Sequence, residues 1–256
     1  MRILILLLFS AAVANAQFEI KDKLDGILFP LGTASAGFGN LITHESDPLT
    51  NDQIINLDIG EINFFDKPAI GFNENSALLS DILISIQMAS TGLFTFSDLN
   101  EGQFNSLSVM YYQTMTFNYG LNASAKKIFQ RKRPFVYSSD APDKEKLTKD
   151  AAYSFYSGHS STAFASAVFN SIMISEYISG GWKPVGIGLN LLNASLIAYL
   201  RVNAGKHFPT DVITGAIIGS TIAYIITEIH RTDKKNIPIN NDLSTGIYRF
   251  NFSLPF

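Results

Sequence analysis

Apolar and polar positions change their rhythm near residue 76 of this chain. From Gln17 to about residue 75, apolar residues are scattered among Asn, Asp and Gly. Asp47-Pro48, Thr50-Asn51-Asp52 and Asp66-Lys67-Pro68 punctuate the stretch as turns. That segment is expected to be irregular. From Ser76 onward long apolar runs take over. Ala77 to Phe96, interrupted by Asp81, Ser85 and Gln87, predicts a helix, and Phe104 to Phe129, entered through Asp98 and Glu101, predicts a second. Tyr137 to Lys149 is polar and holds Asp140-Ala141-Pro142-Asp143, the composition of a loop. Ser160 to Ile178 places Phe164, Val168, Ile172 and Ile178 close to helical spacing before Gly180-Gly181 ends it. Pro184 opens a helix that runs to about Val202. The last helix, Asp211 to Ile229, is entered through Pro209-Thr210 and left through His230-Arg231. A proline at the start and cations at the end both suit the helix dipole.

The tail has a different period. Tyr248, Phe250, Phe252, Leu254 and Phe256 alternate with polar or small residues, which predicts a β-strand with one apolar face, packed against the helical body. The expected fold is therefore all-α: a helical bundle of about five to six core helices with a short C-terminal β-strand appendage. The expected divisions are 1–16, 17–75 (irregular), 76–231 (helical domain) and 232–256 (tail).

The first division is set apart by its own pattern. Met1-Arg2 is positive, Ile3 to Phe9 is apolar and Ala14-Asn15-Ala16 is a small-x-small cleavage site. This is the layout of a secretory signal peptide cut before Gln17, with an uncleaved membrane anchor as the alternative. Among the 256 residues there is no cysteine, so packing and hydrogen bonds must hold the fold even if the chain is exported. A net charge of −3 excludes wholesale attraction to nucleic acid and requires any anion binding to be local. Charged residues at 16% and apolar residues at 46% fit a tightly packed helical protein or one that touches a membrane. A spanning helix needs about 20 mostly apolar residues. Val212 to Thr227 is clean but short, and the other helices carry Asp81, Glu176, or Asn190 with Asn193. The expectation is a water-soluble or surface-associated body in a bacterial periplasm or cell envelope. The alternative is an integral inner-membrane protein whose site faces the periplasm.

Three separated stretches carry the candidate chemistry. Lys126 and Arg133 lie about two turns apart at the end of the second helix, where Pro134 stops it. A guanidinium fork binds two phosphate oxygens and an ammonium adds a compact charge. Alone, the five cations from Lys126 to Arg133 read as a solvated basic face, and Lys127, Arg131 and Lys132 can be no more than that. Ser157-Gly158-His159 precedes a helix, whose first N–H groups form a ready anion site. Gly158 permits close approach of the main chain. Ser157 can cap the helix or donate to an oxygen, and a protonated His159 beside a bound anion can act as a general acid. The plain alternative is a neutral or paired histidine at a helix start with no task. Arg201, His207 and Asp211 complete the set. His207 and Asp211 are within reach of one hydrogen bond, and an aspartate accepting from one imidazole nitrogen leaves the other as base or nucleophile.

The order Lys-x6-Arg-Pro, Ser-Gly-His, Arg-x5-His-x3-Asp resembles the signature of the type 2 phosphatidic acid phosphatase superfamily, which bacterial class A acid phosphatases and vanadium haloperoxidases share. It covers residues 126 to 211. The resemblance implies His207 as the nucleophile that forms a phosphohistidine, oriented by Asp211, and His159 as the acid that protonates the leaving alcohol. It implies that Lys126, Arg133, Arg201, Ser157 and the Gly158 amide bind the phosphoryl oxygens, with no metal or other cofactor. Phosphoryl transfer needs mostly positioning and charge stabilisation, which these residue types supply. Two positions depart from the family pattern: Tyr156 stands where proline is usual and Leu200 where serine is usual. His44 and His230 are expected to be ordinary surface residues.

The expected activity is metal-independent hydrolysis of a phosphorylated lipid or a small phosphate ester, at or near a membrane surface. One alternative is a haloperoxidase, in which the same cradle holds vanadate as cofactor. The other is a catalytically inactive envelope protein that binds anionic lipid.

Overall fold

The computed structural model describes residues 18–41, 47–92, 99 and 101–232. The expected signal peptide, His44 and the expected terminal strand lie outside these residues. Six long helices form the body: α1 (Asp22–Leu41), α3 (Glu74–Thr91), α4 (Glu101–Phe129), α6 (Gly158–Tyr177), α7 (Lys183–Asn203) and α8 (Pro209–Ile229). Two short ones, α2 (Asn51–Ile55) and α5 (Asp143–Lys146), sit in the connections. Among the described residues there is no strand, and Phe18 and Arg231 form a single antiparallel bridge.

Local signals explain the boundaries. The Asn73 side chain caps α3 by accepting from the Ser76 N–H, and the Ser157 side chain caps α6 by accepting from Ser160. Proline in the first turn opens α7 and α8. The expected loop at 137–149 is instead wound into α5 between 3-10 turns at Pro134–Tyr137 and Lys149–Ala152.

The segment expected to be irregular contains α1, a 20-residue helix that lies along α4. Its glycines and Pro30 read as breaks in the sequence, yet Gly32 permits contact. A Cβ there would come within 2.6 Å of Thr116 Oγ1, and one on Gly120 of α4 would come within 2.5 Å of the Ser35 carbonyl carbon. Phe29 stacks on Tyr112 with centroids 4.5 Å apart. Helix contact outweighs the poor local propensity.

The same device brings α6 and α8 together. A Cβ on Gly215 would lie 2.6 Å from the Ser157 carbonyl oxygen, and one on Gly219 would overlap the Ser161 carbonyl. Small residues one turn apart let two backbones approach closely. Ala163 and Ala167 of α6 then receive Ala194 and Ile197 of α7, while Met110, Phe169, Met173, Ala223 and Ile226 fill the main core.

The polar residues inside the apolar helices face one another. Gln87 donates to Asn190 (2.9 Å), Asn193 donates to Gln87 (2.7 Å), and Asn170 donates to Ser90 (2.9 Å). What α7 presents outward is Val185, Leu189, Leu192, Leu196 and Tyr199. On α8 Ile213, Ile217 and Ile225 are exposed, and on α3 Leu78, Ile82 and Ile86. Among the described residues two helices, α7 and α8, are long and apolar enough to cross a membrane. Asn190 and Asn193, which spoke against membrane contact in the sequence, are thus satisfied inside the bundle.

His230, expected at the surface, is fully buried. Its Nδ1 donates to the Ile226 carbonyl and its Nε2 faces Asp25 Oδ1, each at 2.7 Å. Asp25 also accepts from Gln113 (2.7 Å) and from the Lys21 N–H (2.6 Å), so the start of α1 is clamped to the end of α8. Asp25→Ala removes one partner of a buried pair and should cost about 3–5 kcal/mol. Thermal unfolding checks this, and an unchanged Tm would contradict it.

Candidate active site

One end of the bundle gathers the ends of α4, α6 and α7 with the start of α8. After Phe129 the chain leaves α4 through Gln130, at φ 44°, and runs into Arg131–Pro134. His159 sits in the first turn of α6 and Arg201 in the last turn of α7. Gly205, at φ 69°, turns the chain into His207 and α8. These elements enclose a cavity of about 520 Å³. Lys126, Arg133, His159, Arg201 and His207 all line it, and Asp81, Asp150, Glu145 and Lys206 join them.

His207 is buried, and its Nδ1 lies 2.7 Å from the Ser154 carbonyl. A carbonyl only accepts, so the ring proton sits on Nδ1 and Nε2 keeps its lone pair. Burial, followed by the charges of Arg133, Arg201 and Lys126, holds the imidazole well below its usual range. It is therefore neutral, the form a nucleophile requires.

Asp211 does not bond His207. Its Oδ2 accepts from the Ser154 hydroxyl (2.5 Å) and the Phe208 N–H (2.9 Å), and its Oδ1 from Arg131 Nη1 (2.6 Å). The direct aspartate–histidine bond expected from the sequence is replaced by a route through Ser154. The cause is local: the Phe208 N–H caps back onto the carboxylate and draws it to the helix side of the loop.

His159 Nε2 lies 2.8 Å from Asp81 Oδ1, and Arg201 Nη1 reaches the same oxygen at 3.2 Å. Burial and the charges of Arg201 and Lys126 pull the imidazole down to about 4, with Asp81 opposing. Arg133 donates to the Asp150 carboxylate (2.6 Å), the Asp150 carbonyl (2.9 Å) and the Lys206 carbonyl (3.2 Å). This fixes the plane of its guanidinium, a group with five N–H donors. Arg201 is buried and donates to Ser80 (3.1 Å), while its Nε, also buried, has no partner. Burial, then the neighbouring Arg133 and Arg201, brings the Lys126 ammonium down to about 8.

Ser157 and Gly158 are not among the residues that line the cavity. The Ser157 side chain caps α6, and its N–H donates to the Asp211 carbonyl at 3.1 Å. A Cβ on Gly158 would come within 2.8 Å of Asn122 Oδ1, so glycine here admits α4. Asn122 in turn donates to the Tyr156 carbonyl (2.8 Å), which seats the residue that replaces the usual proline. Leu200, at the other departure, is buried beside Arg201. Arg131, read from the sequence as solvated, instead bridges Asp211 and Asp66 and lies 4.2 Å over the Phe208 ring. Sequence reasoning also passed over Ser154, Asp66, Asp150 and Asp81. Asp81 alone left a signal, as the one charge inside an apolar helix.

The PAP2 superfamily model matches residues 108–235, half of the chain. The chain belongs to that superfamily. Its curated relatives include a probable diacylglycerol pyrophosphate phosphatase 1 of Schizosaccharomyces pombe, 32% identical over 36% of this chain and 35% of the relative. They also include an undecaprenyl-diphosphatase of Sulfolobus acidocaldarius, 30% identical over 44% of this chain and 50% of the relative. Phospholipid phosphatase 1 of Rattus norvegicus is 25% identical over 60% of this chain and 67% of the relative. The chain thus spans half or less of the first two relatives. No solved structure matches it at a significant level. The superfamily match includes every motif residue from Lys126 to Asp211 but leaves Asp66 and Asp81 outside.

Proposed function

We propose that this chain is a phosphatase that cleaves phosphate monoesters or diphosphates carried on lipids, through a covalent phosphohistidine at His207. The observation that carries this reading is the meeting of two imidazoles and the three motif cations, Lys126, Arg133 and Arg201, on one cavity. Lys126, Arg133 and Arg201 hold the phosphoryl oxygens, and Arg201 Nε is a buried donor that no protein group satisfies. Nε2 of His207 attacks phosphorus, the P–O bond to the leaving group breaks, and His159 gives that oxygen its proton. Water then attacks the phosphohistidine, with His159 taking back a proton, and phosphate leaves. No step draws on a metal ion.

Three relatives whose names specify diphosphates or phospholipids, together with the apolar outer faces of α3, α7 and α8, favour a lipid substrate and a membrane-associated enzyme. The apolar start of the chain supports an exported site in the cell envelope, which cell fractionation tests. The activity is tested with purified protein against phosphatidate, undecaprenyl diphosphate, lipid A and p-nitrophenyl phosphate, with and without chelator. Turnover of the lipid phosphates that survives chelation is expected. No turnover of any of them, or turnover restored only by magnesium, would contradict the proposal.

The pH dependence has a definite sign. In the free enzyme, His159 loses its proton as pH rises through about 4 and Lys126 its charge through about 8. Consequently kcat/KM should fall as pH rises above about 4 and more steeply above about 8. A bound phosphate dianion favours the imidazolium, so the corresponding limb of kcat should lie at higher pH. Initial rates across pH 3–9 check this, and a kcat/KM that stays flat from about pH 4 up to the ordinary histidine range would contradict it.

A further inference from the structure

We propose that Arg131 and Asp66 are positioning residues of the phosphatase centre: they hold the Ser154 carbonyl where it fixes the His207 proton on Nδ1 and frees Nε2. This deepens the proposed function and rests on it for its kinetic consequence.

The ring hydrogen bond of His207 goes to Ser154, and Ser154 is held from two sides by one residue. Its N–H donates to the Arg131 carbonyl at 2.8 Å. Its hydroxyl donates to Asp211 Oδ2 at 2.5 Å, and the other oxygen of that carboxylate takes Arg131 Nη1 at 2.6 Å. Backbone and side chain of Arg131 therefore close a loop around Ser154, with His207 bonded to its carbonyl at 2.7 Å.

The second half of the Arg131 fork is held by Asp66. Its Oδ2 accepts from Arg131 Nη2 at 2.7 Å and from the Thr210 hydroxyl at 2.8 Å, and its Oδ1 from the Thr210 N–H at 3.0 Å. Asn63 donates to the same carboxylate at 2.7 Å. Asp66, Asp211 and Ser154 have no solvent exposure, so nothing but these partners sets their places. Arginine suits the site because only a planar fork reaches two carboxylates in fixed directions, whereas lysine offers a point charge. Asp66 belongs to the segment ahead of the bundle, outside the superfamily match. That segment is accordingly part of the active centre.

Arg131→Met, Arg131→Lys and Asp66→Asn test the inference through kinetics and through nitrogen-15 spectra of the His207 ring, assigned with His207→Gln. The expected results are a kcat lowered about 100-fold in Arg131→Met with KM changed less than about threefold, and partial recovery in Arg131→Lys. Asp66→Asn, which keeps the shape of the carboxylate, should lose about tenfold. The wild-type ring should show one tautomer, protonated at Nδ1, and Arg131→Met a mixture of two. If Arg131→Met does not fold, the two conservative variants decide by the same readouts. Variants that lower Tm while leaving kcat per folded molecule and the tautomer unchanged would overturn the inference. Should the wild type hydrolyse no phosphate ester while the tautomer shifts as stated, the positioning stands and the phosphatase reading falls.

Discussion

His207→Ala is expected to lower kcat by a factor of roughly 10⁴ or more, because it removes the atom that attacks phosphorus. The affinity for inorganic phosphate should stay within about threefold of wild type. The imidazole removed is neutral, and the charges that hold an anion on the cavity wall, Lys126, Arg133 and Arg201, remain. Steady-state rates on p-nitrophenyl phosphate and phosphate competition measure the two effects separately. A variant that kept more than a tenth of wild-type kcat would remove His207 from the chemistry. It would leave the cavity as a site where another nucleophile, such as water, attacks the phosphate.

Gly205→Ala should be the most damaging small substitution. Gly205 holds φ at 69°, where a side chain costs about 1–2 kcal/mol. An added Cβ would overlap the Gly71 carbonyl oxygen and come within 3.3 Å of the Phe135 Cβ. Neither can yield easily, because the Gly205 carbonyl also accepts from the Phe135 N–H at 2.9 Å. With overpacking added, the expected loss is about 3 kcal/mol. Activity should fall with it. The N–H groups of Lys206 and His207 both donate to the Arg201 carbonyl, at 3.1 and 3.2 Å, so shifting the turn changes the spacing of cradle and nucleophile. Thermal unfolding and kcat/KM of the folded variant check both effects, and wild-type values would show that the turn tolerates a side chain.

Five residues that line the cavity could be read from three local motifs, since each motif stands at a helix end and its spacing survives in one dimension. The five later helices were equally legible, because apolar period and capping residues are local signals. What could not be read was partnership at long range. Arg131 looks solvated beside four other cations, and only Asp66, Thr210 and Asp211, brought from distant segments, reveal its task. His230 at a helix end gives no hint of Asp25, 205 positions earlier. The glycines of α1 resemble chain breaks until α4 is laid against them. Asp211 was placed one bond too close to His207 because a four-residue spacing cannot show that Ser154 lies between.

Rapid acid-free quenching of the enzyme during turnover of a labelled phosphate ester, followed by peptide mapping, bears most directly on the phosphohistidine. A phosphoryl group on His207 at near one per active site, absent from His207→Gln and lost on chase with unlabelled substrate, is the expected result. Turnover with no label on the protein, and with inversion at phosphorus, would mean that water attacks the ester directly and that His207 is not the nucleophile.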